Sequence, residues 1–384
     1  MLKEYGIKMP RAVYSGSGAL NKIKAFLGEQ PGRVAVFTDQ GVLRAGILEE
    51  PLRLIKECAG EVVLMDGLVP EPTCDQAQSA VDEFIALKAD YIIAIGGGSV
   101  MDLAKLTSIL ADGRHSVREL IDNPGLGKKT VKTLMIPTTA GTGAEATPNS
   151  IVTVPEKELK VGIVNDEMIA DGVILDGRLL TALPAKIAAS TGVDALAHAV
   201  ECYTSNKANP FSNLYAGEAF RIIMDNLEQA CFQKDATEAK TNMLAAAFYA
   251  GAAITASGTT AVHALSYPLG GKYHIPHGVA NALLLMPVMR FNRDACETEL
   301  ARLYDLCGMR GEETKARKSE ALLERMDRLI KALPLPVSLR EFGIGRADLD
   351  HLVNAGMEVR RLLDNNKKTL THGDARSLYE EILT

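Results

Sequence analysis

The chain has 384 residues, more than one ordinary hydrophobic core accommodates, so two domains are expected. Hydrophobic residues make up 47% and charged residues 23%, with 5% aromatics and no Trp, which excludes a disordered chain and suits an aliphatic-cored α/β protein. The net charge is −6 and the basic residues are scattered, so neither a nucleic-acid stripe nor a polybasic membrane patch is present, and small-molecule chemistry is the expected role.

The first half alternates short β-branched runs with helical segments. Residues 33–39, 61–65, 91–95 and 131–137 read as strands, and stretches between them, such as Ser79 to Leu87, carry apolar residues at helical spacing. That pattern predicts a parallel sheet covered by helices. A hairpin is expected next, from Ser150 to Pro155 and from Lys160 to Val164, with the polar turn Glu156-Lys-Glu158 between. From Pro184 onward long Ala- and Leu-rich helical patterns take over, for example Leu214 to Leu227 and Lys240 to Ala256. The expected division is therefore an α/β domain over 1–182 and an all-helical domain over 183–384. The charged stretch Gly311 to Arg328 reads as a solvated helix face and loop.

The six cysteines, Cys58, Cys74, Cys202, Cys231, Cys296 and Cys307, are widely spaced with no Cys-x-x-Cys, and residues 1–10 contain no signal-peptide apolar core. Both features suit a reduced, cytoplasmic protein with buried thiols. No charge-free apolar run reaches roughly 18 residues, so no transmembrane helix is expected.

Three stretches of the first half carry recognisable chemistry. Ala94-Ile-Gly-Gly-Gly-Ser-Val-Met-Asp-Leu-Ala-Lys105 places Gly96, Gly97 and Gly98 between a strand and a helix, where backbone can approach a ligand and free N–H groups can meet a pyrophosphate. The same residues also read as a tight turn with Ser99 as helix cap and Asp102 as third helical residue. Pro137-Thr-Thr-Ala-Gly-Thr-Gly-Ala-Glu-Ala-Thr147 sets hydroxyls where the carboxyl edge of a parallel sheet should lie, so Thr138, Thr139 and Thr142 can donate to phosphates or a carboxamide. Asp39 ends the first expected strand; a carboxylate there accepts both ribose hydroxyls and repels a 2′-phosphate, which favours NAD over NADP, although it also suits a turn-capping Asp.

In the second half, Asp194 and His198 stand at i,i+4 on one helix face among Ala, Leu and Val. A solvent-facing pair would gain only about 0.3–0.5 kcal/mol, whereas a carboxylate buried in such company costs several kcal/mol unless a cation compensates it. Further histidines follow at His263, His274 and His277, and a set of imidazoles plus one carboxylate suits Fe(II) or Zn(II). Residue types alone leave the choice among those three histidines open.

Over nearly its whole length the sequence resembles the iron-containing (group III) alcohol dehydrogenases, through Gly96 to Lys105, Pro137 to Gly143, Gly192 to Glu201 and His263 to Ala282. The resemblance implies a Rossmann-like N-terminal domain, a helical C-terminal domain in a dehydroquinate-synthase-like architecture, and NAD(P) held in a cleft. It further implies a metal on Asp194, His198, His263 and His277. Cofactor contacts carried over are Asp39, Gly97, Gly98, Ser99, Asp102, Thr138, Thr139, Thr142, Thr147 and Lys160, with Leu179 and Leu183 nearby. The implied enzyme is a metal-dependent alcohol dehydrogenase or aldehyde reductase acting on a small alcohol or hydroxy acid, forming a homodimer or larger oligomer.

The sequence departs from the family pattern twice. Tyr267 stands where many members have a histidine that relays protons, with His274 read either as a substitute relay or as a surface loop histidine, and Gly177 follows Asp176 where Pro is common, which implies a local loop change. The rival readings are a dehydroquinate-synthase-like lyase or zinc glycerol(-phosphate) dehydrogenase, and a non-catalytic nucleotide-binding assembly protein. A lyase gripping a phosphorylated sugar acid would need several cations near the metal helices, and Lys272 and Arg290 are the chief ones there.

Overall fold

β-Branched and apolar runs too short for helices form eight strands in a computed structural model that describes residues 4–29, 31–157 and 159–383. They are β1 (Ala12–Ser15), β2 (Arg33–Phe37), β3 (Glu61–Met65), β4 (Tyr91–Gly96), β5 (Lys132–Pro137), β6 (Asn149–Val154), β7 (Leu159–Val164) and β8 (Gly172–Leu175). Six of them form an all-parallel sheet in the order β1-β8-β5-β4-β2-β3, and β6 and β7 pair as the expected antiparallel hairpin. Residues 1–3 of the N-terminal stretch, and Glu158 of the hairpin turn, lie outside the described residues.

Sheet burial accounts for the apolar runs: Val34, Ala35, Val36 and Phe37 in β2, and Ile92 to Ile95 in β4, are fully buried, as strands covered on both faces must be. β3 precedes β4 in sequence but lies on the other side of β2. The strand order therefore reverses between β2 and β4, and ligands of open α/β sheets bind beyond the carboxyl ends of strands at such a point. Asp39, Gly97 and Thr138 all follow those ends.

β1 and β8 are strands that the sequence pattern did not predict. Each has four residues; β1 alternates half-buried with exposed positions at the sheet edge, and β8 opens on Gly172. A Cβ at Gly172 would stand 2.9 Å from Leu134 Cδ1.

The chain falls into two compact units. One contains Lys8–Leu183 together with Lys234–Phe248, and the other contains residues 4–7, Pro184–Gln233 and the chain from Tyr249 onward. The expected domains were continuous segments meeting at residue 182. Gly177 shows why Lys234–Phe248 groups with the sheet: its Cβ position is only 2.6 Å from Thr241 N and 2.8 Å from Thr237 O. A side chain, or a proline ring, has no room at this position, and the departure from the family's Pro fits that approach.

The second unit is helical, with no strand among its described residues. Its principal helices include Ala185–Thr204, Pro210–Phe232, Ala261–Tyr273, His277–Asn292 and Lys315–Ala332. The last of these covers most of the charged stretch and buries only Ser319, Leu322, Leu323, Met326 and Leu329. All six cysteines are free; Cys58 and Cys307 are partly exposed and the other four buried. Among the described residues no helix is long and apolar enough to cross a membrane.

Candidate metal centre and cofactor loops

Three helices of the helical unit, Ala185–Thr204, Ala261–Tyr273 and His277–Asn292, pack together. Their contact is close at Gly278, where a Cβ would lie 2.3 Å from Ser190 O. Glycine at this position lets His277, beside it, approach the helix that carries Asp194 and His198. The outcome is convergence: one donor atom each from Asp194, His198, His263 and His277 lies within 4.8 Å of every other. Nε2 of His198, His263 and His277 stands 3.8, 3.6 and 3.6 Å from Asp194 Oδ1. Donors arranged tetrahedrally about 2.1 Å from a metal would stand roughly 3.4 Å apart, so the cluster is close to the size a zinc or ferrous ion requires.

Electrostatics points the same way. Burial alone would raise the Asp194 carboxyl, but the imidazoles of His198, His277 and His263 outweigh it and hold the group well below the usual carboxylate range. Burial opposes charge on His263 as well, yet Glu201 and Asp194 raise its affinity for a proton. The cluster is thus a buried anion asking for positive charge, which protons supply when no metal does.

Two residues that sequence reasoning passed over complete the centre. Glu201 is fully buried; its Oε1 accepts from Thr260 N at 3.0 Å, Thr260 Oγ1 at 2.7 Å and Val262 N at 2.9 Å, and its Oε2 meets His263 Nδ1. A carboxylate at Nδ1 keeps the proton there and leaves the Nε2 lone pair for a metal. Asn281, one turn after His277 and fully buried, sets Nδ2 2.6 Å from Asp194 Oδ1 and 3.2 Å from Nε2 of both His263 and His277. Its amide hydrogens address the same lone pairs that a cation would take, while its Oδ1 is buried without a partner. Both residues had a readable signal: Glu201 is seven residues after Asp194 on the same face, and Asn281 is four after His277.

His274 is not among the converging donors. It is exposed and caps the helix Ala261–Tyr273 in the left-handed region, with φ 54°. Tyr267 does stand at the centre, its ring 6.3 Å from that of His277; burial pushes its hydroxyl above the ordinary phenol range. Of the cations weighed for a lyase, Arg290 is tied to Asp327 at 2.7 Å and Glu381 at 3.1 Å, and Lys272 lies over the Tyr273 ring.

In the α/β unit, the helix Gly98–Leu110 begins at Gly97 with no side-chain cap. Ser99 is therefore its second residue and not the cap, and Asp102 lies beyond the first turn. The nearby helices Cys74–Leu87 and Val117–Asp122 both start with complete capping boxes, whereas here no side chain caps the first N–H groups. Facing them are the threonines: a Cβ on Gly97 would lie 3.4 Å from Thr139 Oγ1, and one on Gly98 2.8 Å from Thr142 Oγ1. Thr138 N donates to Gly96 O at 3.0 Å.

Lys105, fully buried, fastens the two loops together. It pairs with Asp102 at 2.9 Å and donates to Ala144 O at 2.8 Å, Thr147 Oγ1 at 3.2 Å and Thr147 O at 3.3 Å. Ser99 Oγ accepts from Glu71 N at 3.0 Å, and Glu71 pairs with Lys160 at 2.7 Å, so Lys160 joins the same group. Asp39 caps the short helix Gln40–Arg44 through Oδ1, at 2.7 Å from Gly41 N and 3.0 Å from Val42 N. The turn reading of this residue is therefore realised, and Oδ2 takes no part in the cap. Leu179 is buried in the turn Gly177–Leu180, and Leu183 is half-buried just after it; no hydrogen bond ties either to the loops among the described residues.

Known proteins match the chain across both units. Residues 10–177 match the model of the iron-containing alcohol dehydrogenases, and residues 188–383 that of the Fe-containing alcohol dehydrogenase family, C-terminal. The chain belongs to the iron-containing alcohol dehydrogenase family. It is 33% identical over 381 residues to long-chain-alcohol dehydrogenase 1 of Geobacillus thermodenitrificans, covering 97% of this chain and 95% of that one. Among solved structures it is similar to a 1,3-propanediol oxidoreductase, with a TM-score of 0.91, 28% identity, and 99% and 100% of the two chains covered. A sulfoacetaldehyde reductase from Bifidobacterium kashiwanohense, solved with NAD+, has a TM-score of 0.88 and 25% identity over 100% and 99% of the chains. This iron-containing alcohol dehydrogenase is an oxidoreductase acting on alcohols, and its parallel six-stranded α/β region and helical region are those of the family.

Proposed function

We propose that Asp194, His198, His263 and His277 hold the metal, and that the enzyme interconverts a small alcohol or hydroxy acid with the corresponding aldehyde. The convergence of three imidazole Nε2 atoms on one buried carboxylate oxygen carries this reading. When bound, Fe(II) or Zn(II) supplies the Lewis acidity that lowers the pKa of an alcohol and polarises an aldehyde, and NAD supplies the hydride acceptor.

The remaining work is assigned to the chain's own side chains. Glu201 fixes the tautomer of His263, and the packed helices bury Asp194, His198 and His263 while His277 stays part-exposed. Tyr267, whose burial keeps its hydroxyl protonated, donates a hydrogen bond where relatives use a titrating histidine. The uncapped N–H groups after Gly97 receive the pyrophosphate. Thr138, Thr139, Thr142 and Thr147 line the opposite wall, with Ser99, Asp102 and Lys160 holding its shape. Asp39 offers Oδ2 to the ribose and repels a 2′-phosphate, which supports NAD over NADP. Residues 1–182 thus take the cofactor, with Leu179 and Leu183 near it, and 183–384 the metal and substrate. The six free thiols support a cytoplasmic setting, and a homodimer or larger assembly is the expected oligomeric state.

The direct test is His263→Ala, assayed for metal content and for NADH-dependent aldehyde reduction. The variant should lose bound metal, and turnover should fall by orders of magnitude; retention of both would overturn the assignment.

A further inference from the structure

The helix His277–Asn292 carries Asn281 one turn beyond His277, in a run where Ala280, Ala282, Leu283 and Leu284 are all buried. A primary amide in such apolar company is costly unless its hydrogens are used. Its Nδ2 stands 2.6 Å from Asp194 Oδ1 and 3.2 Å from Nε2 of both His263 and His277. Turned the other way, the amide would set its carbonyl oxygen 2.6 Å from a carboxylate oxygen, two acceptors with no proton between them. The orientation is therefore fixed, although it leaves Oδ1 buried without a partner.

An amide nitrogen carries two hydrogens, and three acceptors face this one. Asp194 Oδ1, the nearest and an anion, holds the first hydrogen. The Nε2 electron pairs of His263 and His277 are those assigned to the metal, so the second hydrogen loses its acceptor once they are engaged. Full burial denies it water as a substitute. Nδ2 lies within 3.2 Å of three of the four donors, so a substrate oxygen arriving among them enters its hydrogen-bonding range.

We propose that Asn281 is a catalytic residue of the dehydrogenase: its second N–H donates to the substrate oxygen and stabilises the negative charge that collects there during hydride transfer. The inference rests on the metal assignment and dehydrogenase reading above, and adds a group that binds the reacting oxygen. In aldehyde reduction the hydride of NADH bonds to the carbonyl carbon, the C=O π pair moves to oxygen, and a proton from solvent completes the alcohol, leaving NAD+. Asn281 gives up no proton. It is a fixed donor aimed where charge develops.

The test uses N281L, which keeps the approximate shape and removes both hydrogens, and N281D, which keeps the shape and offers only acceptors. Each protein is loaded anaerobically with saturating Fe(II), and bound iron is measured by elemental analysis. Saturation separates the two roles of the amide, because support given to the metal through Asp194 is then restored and donation to the substrate is not. Calorimetric titration of 2,2,2-trifluoroethanol, an alcohol that ionises readily and resists oxidation, into the enzyme with NAD+ reads the hydrogen bond without turnover. Its Kd should rise about 10–100-fold in N281L, the size of one charge-assisted hydrogen bond. For butanal reduction kcat should fall about 10²–10³-fold, while the KM for NADH keeps its wild-type value. Full iron loading with unchanged trifluoroethanol affinity, or with unchanged kcat, overturns the proposal. Should N281L fail to take up iron, N281D carries the same measurements, since its added carboxylate is itself a metal donor, and wild-type alcohol affinity in that variant overturns the proposal equally. A wild type that reduces no aldehyde would sink the dehydrogenase reading. Asn281 is then judged on trifluoroethanol alone, weaker binding in the iron-loaded variant upholding the donor and equal binding overturning it.

Discussion

In the helical unit, the four converging donors stand on long helices pressed together at Gly278, each held by backbone geometry and neighbouring side chains. In the α/β unit, the groups proposed for NAD stand on two loops whose shape depends on one buried cation, Lys105. The contrast follows from what each must bind. A metal centre tolerates little displacement of its donors, so helices and a supporting carboxylate suit it. A pyrophosphate is met mainly by backbone N–H groups, which only an open turn exposes. Substitutions in the two regions should therefore separate cleanly, with metal affinity moving in one and cofactor affinity in the other.

The largest expected effect within this comparison is Glu201→Gln. The amide would keep an acceptor for Thr260 and Val262 but lose the carboxylate that fixes His263, and metal affinity should fall about 10–100-fold. Competition with a chelator measures it; unchanged affinity would remove Glu201 from the centre. Gly98→Ala probes the other region. Its methyl would come within 2.8 Å of Thr142, so the KM for NADH should rise several-fold while metal content stays at the wild-type level. A loss of metal in this variant would show that the two regions are not separable.

The two regions also differ in how far the sequence foretold them. Asp194 and His198 were readable because a carboxylate and an imidazole one turn apart in an apolar helix are costly to bury without a cation, and β2 to β5 were readable because each carries a short run of apolar, largely β-branched residues, even in β3, which is only partly buried. The choice of His263 and His277 over His274 came from family resemblance, since residue type alone does not reveal that His274 ends a helix. β1 and β8 are four residues each, too short for any periodicity to register. Lys105 does carry a signal: a lysine three residues after an aspartate in an otherwise apolar helix must be buried with a partner.

The smallest effect expected lies in the threonine loop itself and tests how tightly Lys105 fixes it. Glu145 is buried there with Oε1 unpartnered, and burial pushes its carboxyl up to about 7 from an ordinary 4.5. Between those two values the folded chain keeps a proton that the unfolded chain has released. The unfolded state then binds fewer protons, so stability must fall as pH rises through this window. Glu145→Gln keeps the shape and removes the titration. Its melting temperature should match the wild type near pH 4.5, exceed it by a few degrees at pH 8, and change less between them. If the two melting curves instead ran parallel across pH 5 to 8, Glu145 would already be ionised in the folded chain, and the Lys105 charge nearby would have to be compensating it. In that case the loop is held by a buried ion pair, and its dependence on a single cation would be closer to the way Asp194 depends on a metal.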